Sequence, residues 1–176
     1  MKIWYDTEFI ENGSTIGLIS IGMGREDGKK LYRINADMDF SSIQRNDWLM
    51  KNVMPSLPVR TGRDFPWNIF HPDFDYVMRK EEIRRDVRQF VLDTPDPELW
   101  AWYGAYDHVV VCQLFGRMID LPTGFPMYTM DLKQEHRRLG EPRLPEQESG
   151  EHNALDDALH NKVIWEALKK YEMANL

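Results

Sequence analysis

Two carboxylates stand two positions apart on the first apolar stretch of the chain, in the segment "YDTEF" at residues 5–9. In an extended strand, residues i and i+2 point to the same face, so Asp6 and Glu8 would lie side by side. Like charges next to the apolar "KIWY" require either a solvated edge or a bound cation. Taken alone, the pair favours the simpler interpretation, a strand that ends here with both acids in water. The rest of the chain has to distinguish these possibilities.

The composition suits one globular α/β-sized domain over residues 1–176, with 42% hydrophobic and 12% aromatic residues. The only cysteine, Cys112, excludes an internal disulfide framework and fits a reducing cytoplasm. No apolar run reaches the ~18 residues of a membrane span, and "MKIWYDTEF" lacks the apolar stretch of a secretory signal. The formal net charge of −7 argues against coating of nucleic acid by bulk electrostatics, yet it leaves a nucleic-acid enzyme open.

The order of the apolar segments predicts an α/β domain with a mixed sheet, because strands come first and helices then alternate with strands. Predicted strands cover residues 2–6, 15–24, 31–36 and 98–104, with a last short strand in "FPMYTMDL" (125–132). Predicted helices cover residues 80–93, 106–118, 132–140 and 154–172. Residues 37–79 predict only one short helix, around "DWLMKNVM".

Two further features invite a nucleic-acid interpretation and have simpler ones. Arg84 and Arg88 share a face of the helix at 80–93 and could meet phosphates. Glu81, however, stands four residues before Arg85, which favours a solvated face with ion pairs. Trp100 and Trp102, the two tryptophans of "ELWAWYG", are expected on one face of the strand and in the core rather than as platforms for bases.

Asp107 and Asp157 fall at the edges of predicted elements. Asp107 stands where a buried strand passes into a helix, the place where open α/β folds collect ligands, although a helix dipole alone would also favour an acid there. In "HNALDDALHN" (152–161), Asn153 is a predicted N-cap, which makes Asp156 the N3 acid of a capping-box-like start. Asp157 then lies about 100° further round the helix. His152 falls just outside it.

Together, these residues form the set that two-metal phosphodiester hydrolysis requires. Mg²⁺ and Mn²⁺ take oxygen ligands, and two ions ~3.5–4 Å apart can activate a water and stabilise the leaving 3′ oxygen. A histidine of near-neutral pKa could remove the proton from the attacking water. One cysteine and scattered histidines give no zinc-site spacing.

With these residues in this order, the sequence resembles the DEDDh branch of the DEDD 3′→5′ exonucleases. "DTE", "YGAYD" and "HNALDD" match its three motifs in the right order and span residues 6–157. Within the branch, "WYDTEFIENGSTIGLISIG" and "ELWAWYGAYDHVVVCQLFG" are most similar to the actinobacterial RNase AS group, small exoribonucleases that prefer adenylate-containing RNA. One departure is Tyr103, which stands where the branch often has Asn.

The resemblance implies an RNase H-like fold with a central five-stranded mixed sheet flanked by helices. It implies hydrolysis of single-stranded RNA from the 3′ end, with two Mg²⁺ or Mn²⁺ ions, by a homodimer. The implied site residues are the metal ligands Asp6, Glu8, Asp107 and Asp157, the general base His152, and a nucleotide-binding stretch of Thr7, Glu8 and Phe9.

Two other functions remain open at this stage. A DNA 3′ exonuclease could use the same scaffold, because the choice of sugar depends on contacts to the 2′-OH that no motif reports. A catalytically silent RNase H-like module could bind a partner only, but all five expected metal-site and base residues are present, which argues against it.

Overall fold

The computed structural model describes residues 1–60 and 67–175. Its first three strands form the predicted meander: β1 (Lys2–Glu11) pairs antiparallel with β2 (Ile16–Arg25), and β2 pairs antiparallel with β3 (Lys30–Asn35). The strand does not end at the two acids, since β1 continues past them to Glu11. Asp6 and Glu8 therefore lie in the middle of the sheet, and the interpretation as a solvated strand end is wrong.

Three short strands complete a mixed sheet: β4 (Val77–Met78), β5 (Glu98–Ala101) and β6 (Met130–Asp131). All three pair parallel to a neighbour, and the order across the sheet is β4-β3-β2-β1-β5-β6. Within residues 1–60 and 67–175, the sheet thus has six strands where the resemblance implied five. The additional strand is β4, whose two residues are too few for any periodicity to indicate it.

Helices cover both faces of this sheet, as the α/β class predicts. They are α1 (Phe40–Ile43), α2 (Asp47–Asn52), α3 (Lys80–Leu92), α4 (Ala105–Phe115), α5 (Leu132–Arg138) and α6 (Ala154–Ala174), with 3-10 turns at Met54–Ser56, Pro72–Tyr76 and Met118–Asp120. The ion-paired surface predicted for α3 is confirmed, although Glu81 pairs with Arg84 and Arg85 pairs with Asp86. No helix in the described ranges is long and apolar enough to cross a membrane.

The alternation of β1 decides which side chains can reach the site. Ile3 and Tyr5 point into a core shared with α3 and α4, whereas Trp4 points to the opposite face and packs with Ile164 of α6. Because side chains alternate along a strand, Asp6 follows Trp4 onto the α6 face. The same pattern that buries the tryptophan therefore presents the first acid to the last helix.

Gly22 allows the start of α6 to lie directly on the sheet. It pairs with Asp6 across β1 and β2, and a Cβ at this position would stand 2.1 Å from the carbonyl oxygen of Ala154. Only glycine permits so close an approach of two backbones. About two turns further along, Asn161 donates from its side-chain amide to the Tyr5 carbonyl at 3.1 Å. The first turns of α6 are thus fixed over the acids of β1.

Candidate active site

All the predicted site residues border one open cavity of about 360 Å³. Its lining includes Asp6, Thr7, Glu8, Phe9, Asp107, His152 and Asp157. On β1 the register shifts between Glu8 and Phe9, a β-bulge of the kind that redirects side chains next to functional sites. Glu8 is only 8% exposed. Of the two carboxylates on this strand, Glu8 is thus buried and Asp6 is half-buried at the wall of the cavity.

Asp107 is bound to β1 through Thr7. It lies in the first turn of α4, and its Oδ1 accepts from the Thr7 amide at 2.9 Å and from the Thr7 hydroxyl at 2.6 Å. The carboxylate is buried, so a solvated interaction with the helix dipole does not account for it. The strand thus fixes one oxygen of this acid and leaves the other for a ligand.

The start of α6 separates the roles of two neighbouring acids. Asn153 is the N-cap, as predicted, and accepts from the amides of Leu155 and Asp156 at 3.0 and 3.3 Å. The capping box is not formed, because the Asn153 amide donates to the Gly150 carbonyl instead. Asp156 is exposed to solvent, whereas Asp157 is half-buried and faces the cavity.

Both oxygens of Asp157 are oriented by neighbours. Its Oδ1 accepts from the Gln147 side chain at 2.7 Å, and its Oδ2 accepts from the His152 amide at 2.9 Å. Potential ligand atoms of Glu8, His152 and Asp157 all lie within 4.8 Å of one another. The helix, the loop before it and the central strand therefore meet at a single point.

Burial and mutual repulsion raise the pKa values of these acids. Burial, and then the charges of Asp107, Glu8 and Asp157, raise the pKa of Asp6 well above its usual value. Burial, and then Asp157 and Asp107, raise the pKa of Glu8 to about 8. Burial raises the pKa of Asp107 to about 6, although the hydrogen bonds from Thr7 oppose this shift. Burial also raises the pKa of Asp157. In the protein alone, keeping these carboxylates ionised therefore costs free energy.

The described part of the chain offers no basic partner for these charges. None of the four carboxylates forms a salt bridge with Lys or Arg within residues 1–60 and 67–175. Buried anions need either protonation or a cation nearby. An all-oxygen carboxylate set is what Mg²⁺ and Mn²⁺ prefer. The residues therefore fit hard divalent cations, with an imidazole next to them that can accept a proton.

Comparison with known proteins agrees with this geometry. The model of the family described as "3'-5' exoribonuclease Rv2179c-like domain" matches residues 1–169. The chain belongs to this family. Two curated relatives, 3'-5' exoribonucleases Rv2179c and MT2234.1 of Mycobacterium tuberculosis strains H37Rv and CDC 1551, are each 40% identical over 160 residues, 90% of this chain and 87% of their own. The family resemblance predicted from the motifs is confirmed.

The RNase H-like fold of this family member is supported by one solved structure. The structure of the yeast NOT1 MIF4G domain co-crystallised with CAF1 matches with a TM-score of 0.50 and 12% identity, covering 98% of this chain and 80% of that chain. Schizosaccharomyces pombe Pop2p, in an Mg²⁺- and Mn²⁺-bound form, matches with a TM-score of 0.49 and 15% identity over 96% and 82% of the two chains. At such identities the likeness concerns the fold alone.

Several residues of the cavity were not predicted from the sequence. Tyr106 stacks on Phe9, with ring centroids 5.9 Å apart and planes 12° from parallel. Because Tyr106 stands next to Asp107 in the second motif, the sequence could have indicated its place at the site. Tyr103, at the departure from the branch pattern, is exposed at the cavity rim with a φ of 55°. The prediction of a core position holds for Trp100 but is incomplete for Trp102, which is half-buried and borders the cavity.

No sequence pattern connected Trp48 or Gln147 with the site. Trp48 lies edge-on to the ring of His152, with centroids 5.0 Å apart, and comes from the segment between residues 37 and 79 that showed little pattern. Gln147 comes from the irregular loop between α5 and α6. Both reach the site through tertiary structure only, so no local pattern could have indicated them.

Proposed function

We propose that this protein is a divalent-metal-dependent 3′→5′ exoribonuclease that releases 5′-nucleoside monophosphates from single-stranded RNA. The observation that carries the proposal is the convergence of four carboxylates and one histidine on one cavity, in a chain of the Rv2179c-like exoribonuclease family. The proposal treats residues 1–176 as one catalytic domain.

In this proposal, Asp6, Glu8, Asp107 and Asp157 hold two Mg²⁺ or Mn²⁺ ions. Bound there, the ions would supply activation of a water and stabilisation of the leaving 3′ oxygen. The raised pKa values of the carboxylates support this role, because a cation offsets the repulsion that the fold imposes on them. The His152 imidazole, beside Glu8 and Asp157, accepts the proton of the attacking water.

The 3′-terminal nucleotide lies along Thr7, Glu8 and Phe9 in this proposal. The stacked Phe9–Tyr106 pair lines the same cavity and offers an aromatic platform for a base. Stacking of a base on an aromatic ring is worth ~1–3 kcal/mol and requires an unpaired base. This arrangement supports a single-stranded end as the substrate.

Three finer properties rest on the resemblance and the composition. A preference for 3′ ends that contain adenylate follows from the RNase AS group, as does a homodimer, and sedimentation measurements would test the dimer. A cytoplasmic location is proposed because the only cysteine, Cys112, is free and buried, which suits a reducing compartment.

A time course on labelled oligomers tests the proposal. RNA and DNA of equal length, labelled at the 5′ or 3′ end and ending in A, C or U, are incubated with Mg²⁺, Mn²⁺ or EDTA. We expect stepwise shortening of 5′-labelled RNA, immediate release of a labelled mononucleotide from 3′-labelled RNA, fastest degradation of A-ended RNA, and no activity in EDTA. Asp6→Asn protein purified in the same way controls for contaminating nucleases. Undiminished activity in EDTA would refute the metal-dependent reaction, and faster degradation of DNA would favour a DNA exonuclease.

A further inference from the structure

His152 has a backbone conformation that its surroundings must maintain. Its φ is 65°, in the left-handed region that residues with a Cβ rarely adopt. It also precedes the N-cap of α6, so the hydrogen bonds of the helix do not restrain it. A residue in this conformation persists only when neighbouring groups hold it.

Three contacts from two directions hold this residue. On the α6 side, its amide donates to Asp157 at 2.9 Å. On the other side, Ser56 Oγ lies 2.9 Å from the His152 carbonyl oxygen and 2.8 Å from that of Val53, so its single proton is shared between them. The imidazole meets the ring of Trp48 edge to face, with an interplanar angle of 78°. Two of the three contacts therefore come from the segment Asp47–Ser56.

Trp48 makes this contact from a position that the core does not require. Its side chain is 55% exposed, whereas its neighbour Leu49 is buried and anchors α2 in the core. The N-cap of α2 is Asn46, which accepts from the Leu49 amide at 3.0 Å. The helix is thus fixed independently of Trp48, and the indole borders the cavity from a rigid base.

We propose that Trp48 and Ser56 are positioning residues that hold the His152 imidazole in place for proton transfer. This inference rests on the proposed function, in which His152 takes the proton of the attacking water. Trp48 acts through His152 here, rather than as a stacking platform for a substrate base. A contact that only orients the catalytic histidine should change kcat, because misplacement of a catalytic group slows the chemical step.

Kinetics of four variants test this proposal on single-stranded RNA. We expect Trp48→Ala to lower kcat by about 10- to 100-fold while KM changes by less than about twofold. Trp48→Phe, which keeps an aromatic ring next to His152, should recover most of kcat. In a His152→Ala background, Trp48→Ala should cause no further loss, since the group it orients is gone. Tyr128→Ala, an exposed aromatic that does not line the cavity, should behave as wild type.

Two kinetic results would overturn the proposal. A raised KM with unchanged kcat for Trp48→Ala would indicate stacking on the substrate instead. The same loss in the presence and absence of His152 would show that Trp48 does not act through it. Full activity of His152→Ala alone would refute the base role in the proposed function, and that outcome is separate from either result on Trp48.

A measurement on the metal-free protein gives a readout besides activity. The ring protons of His152 feel the ring current of Trp48 in the observed geometry. We expect Trp48→Ala to move the His152 ring resonances towards random-coil shifts, Trp48→Phe to move them less, and Ser56→Ala to broaden them through added motion. Unchanged His152 resonances in both Trp48→Ala and Ser56→Ala would contradict the positioning role. Thermal melts of each variant establish that the fold is kept.

Discussion

The candidate site has two halves that are built differently. The inner half consists of Asp6 and Glu8 on β1 and of Asp107, which β1 binds through Thr7. The outer half consists of His152 and Asp157, both half-buried, at the start of α6. Pairing with β2 fixes the acids of β1, and the Thr7 contacts fix Asp107, whereas a few side-chain contacts fix the outer half.

This difference indicates a division of tasks between the two halves. A carboxylate cluster that concentrates like charge needs a rigid support, because repulsion would otherwise separate its members. A group that moves a proton needs a fixed orientation instead, which a few side-chain contacts can give to a residue in a loop before a helix. The predictions below test whether the halves differ in this way.

The largest effect is expected at the outer carboxylate. Asp157→Asn should lose several orders of magnitude in rate while the protein folds normally, because loss of a metal ligand removes activation of the attacking water. Asp156→Asn is the matched control one position away, and it should keep the chemistry. It should lose only ~0.3–1 kcal/mol of stability from the helix dipole. Rates on labelled RNA and thermal melts compare the two.

The contrary result would be informative about the helix. An inactive Asp156→Asn with an active Asp157→Asn would mean that α6 presents its other face to the site. If both variants stayed active, α6 would not contribute to the site, and the DEDDh arrangement would fail.

A second comparison separates metal binding from proton transfer. His152→Ala should lower kcat by roughly 10²–10⁴-fold, the usual contribution of a general base. Because the inner half stays intact, Mg²⁺ or Mn²⁺ should still raise its melting temperature, since a ligand that binds only the folded state stabilises it. Asp6→Asn should lose both the activity and the metal-induced rise. Loss of that rise in His152→Ala would make the histidine a metal ligand and merge the two halves.

A third prediction concerns the contact that joins the halves. Gly22→Ala places a Cβ 2.1 Å from the Ala154 carbonyl oxygen, and backbone cannot move aside as a side chain can. We expect a loss of about 1–3 kcal/mol of stability, as for overpacking of a core, and a fall in activity as α6 moves. In Gly17→Ala, on the same strand, the Cβ would lie 3.3 Å from an Ile10 methyl and 3.8 Å from the Ile10 carbonyl oxygen, so this variant should lose less stability. Equal melting temperatures of the two variants would show that α6 does not depend on this approach.

Local patterns sufficed to predict most of the elements and to select residues that border one cavity. The meander β1–β3 and helices α3, α4 and α6 follow from apolar periodicity, and Asn153 caps α6 as its residue type predicts. Asp157 was distinguished from Asp156 in the same way, by counting from the cap.

The errors come from places where local patterns stop applying. Acids at residues 6 and 8 indicated a strand end, but the strand continues because those acids face a cavity. Trp102 was assigned to the face of Trp100, yet β5 ends at Ala101 and alternation ends with it. The contact of Ser56 with His152 spans 96 positions, a separation that only the folded chain closes.

Without metal, the stability of the protein should depend on pH. Glu8 has a pKa of about 8 and Asp107 a pKa of about 6, both above the usual values of these acids, because of burial and neighbouring charges. A folded state with raised acid pKa values binds more protons than the unfolded state, so stability falls as pH rises through those values. Metal-free protein should therefore melt at progressively lower temperature between about pH 5 and pH 8. A net loss of 1 kcal/mol lowers the melting temperature of a chain this long by about 2–4 °C.

The inner half should account for this slope, which gives the prediction its control. Asp6→Asn removes one of the crowded charges, so it should melt higher than wild type without metal and show a shallower fall with pH. Asp156→Asn lies outside the cavity and should keep the wild-type slope. Saturating Mg²⁺ should flatten the wild-type curve, because the cation stabilises the ionised carboxylates that pH otherwise penalises. A metal-free melting temperature that rises from pH 5 to pH 8, or a lower one for Asp6→Asn, would show that repulsion among these acids does not govern the inner half.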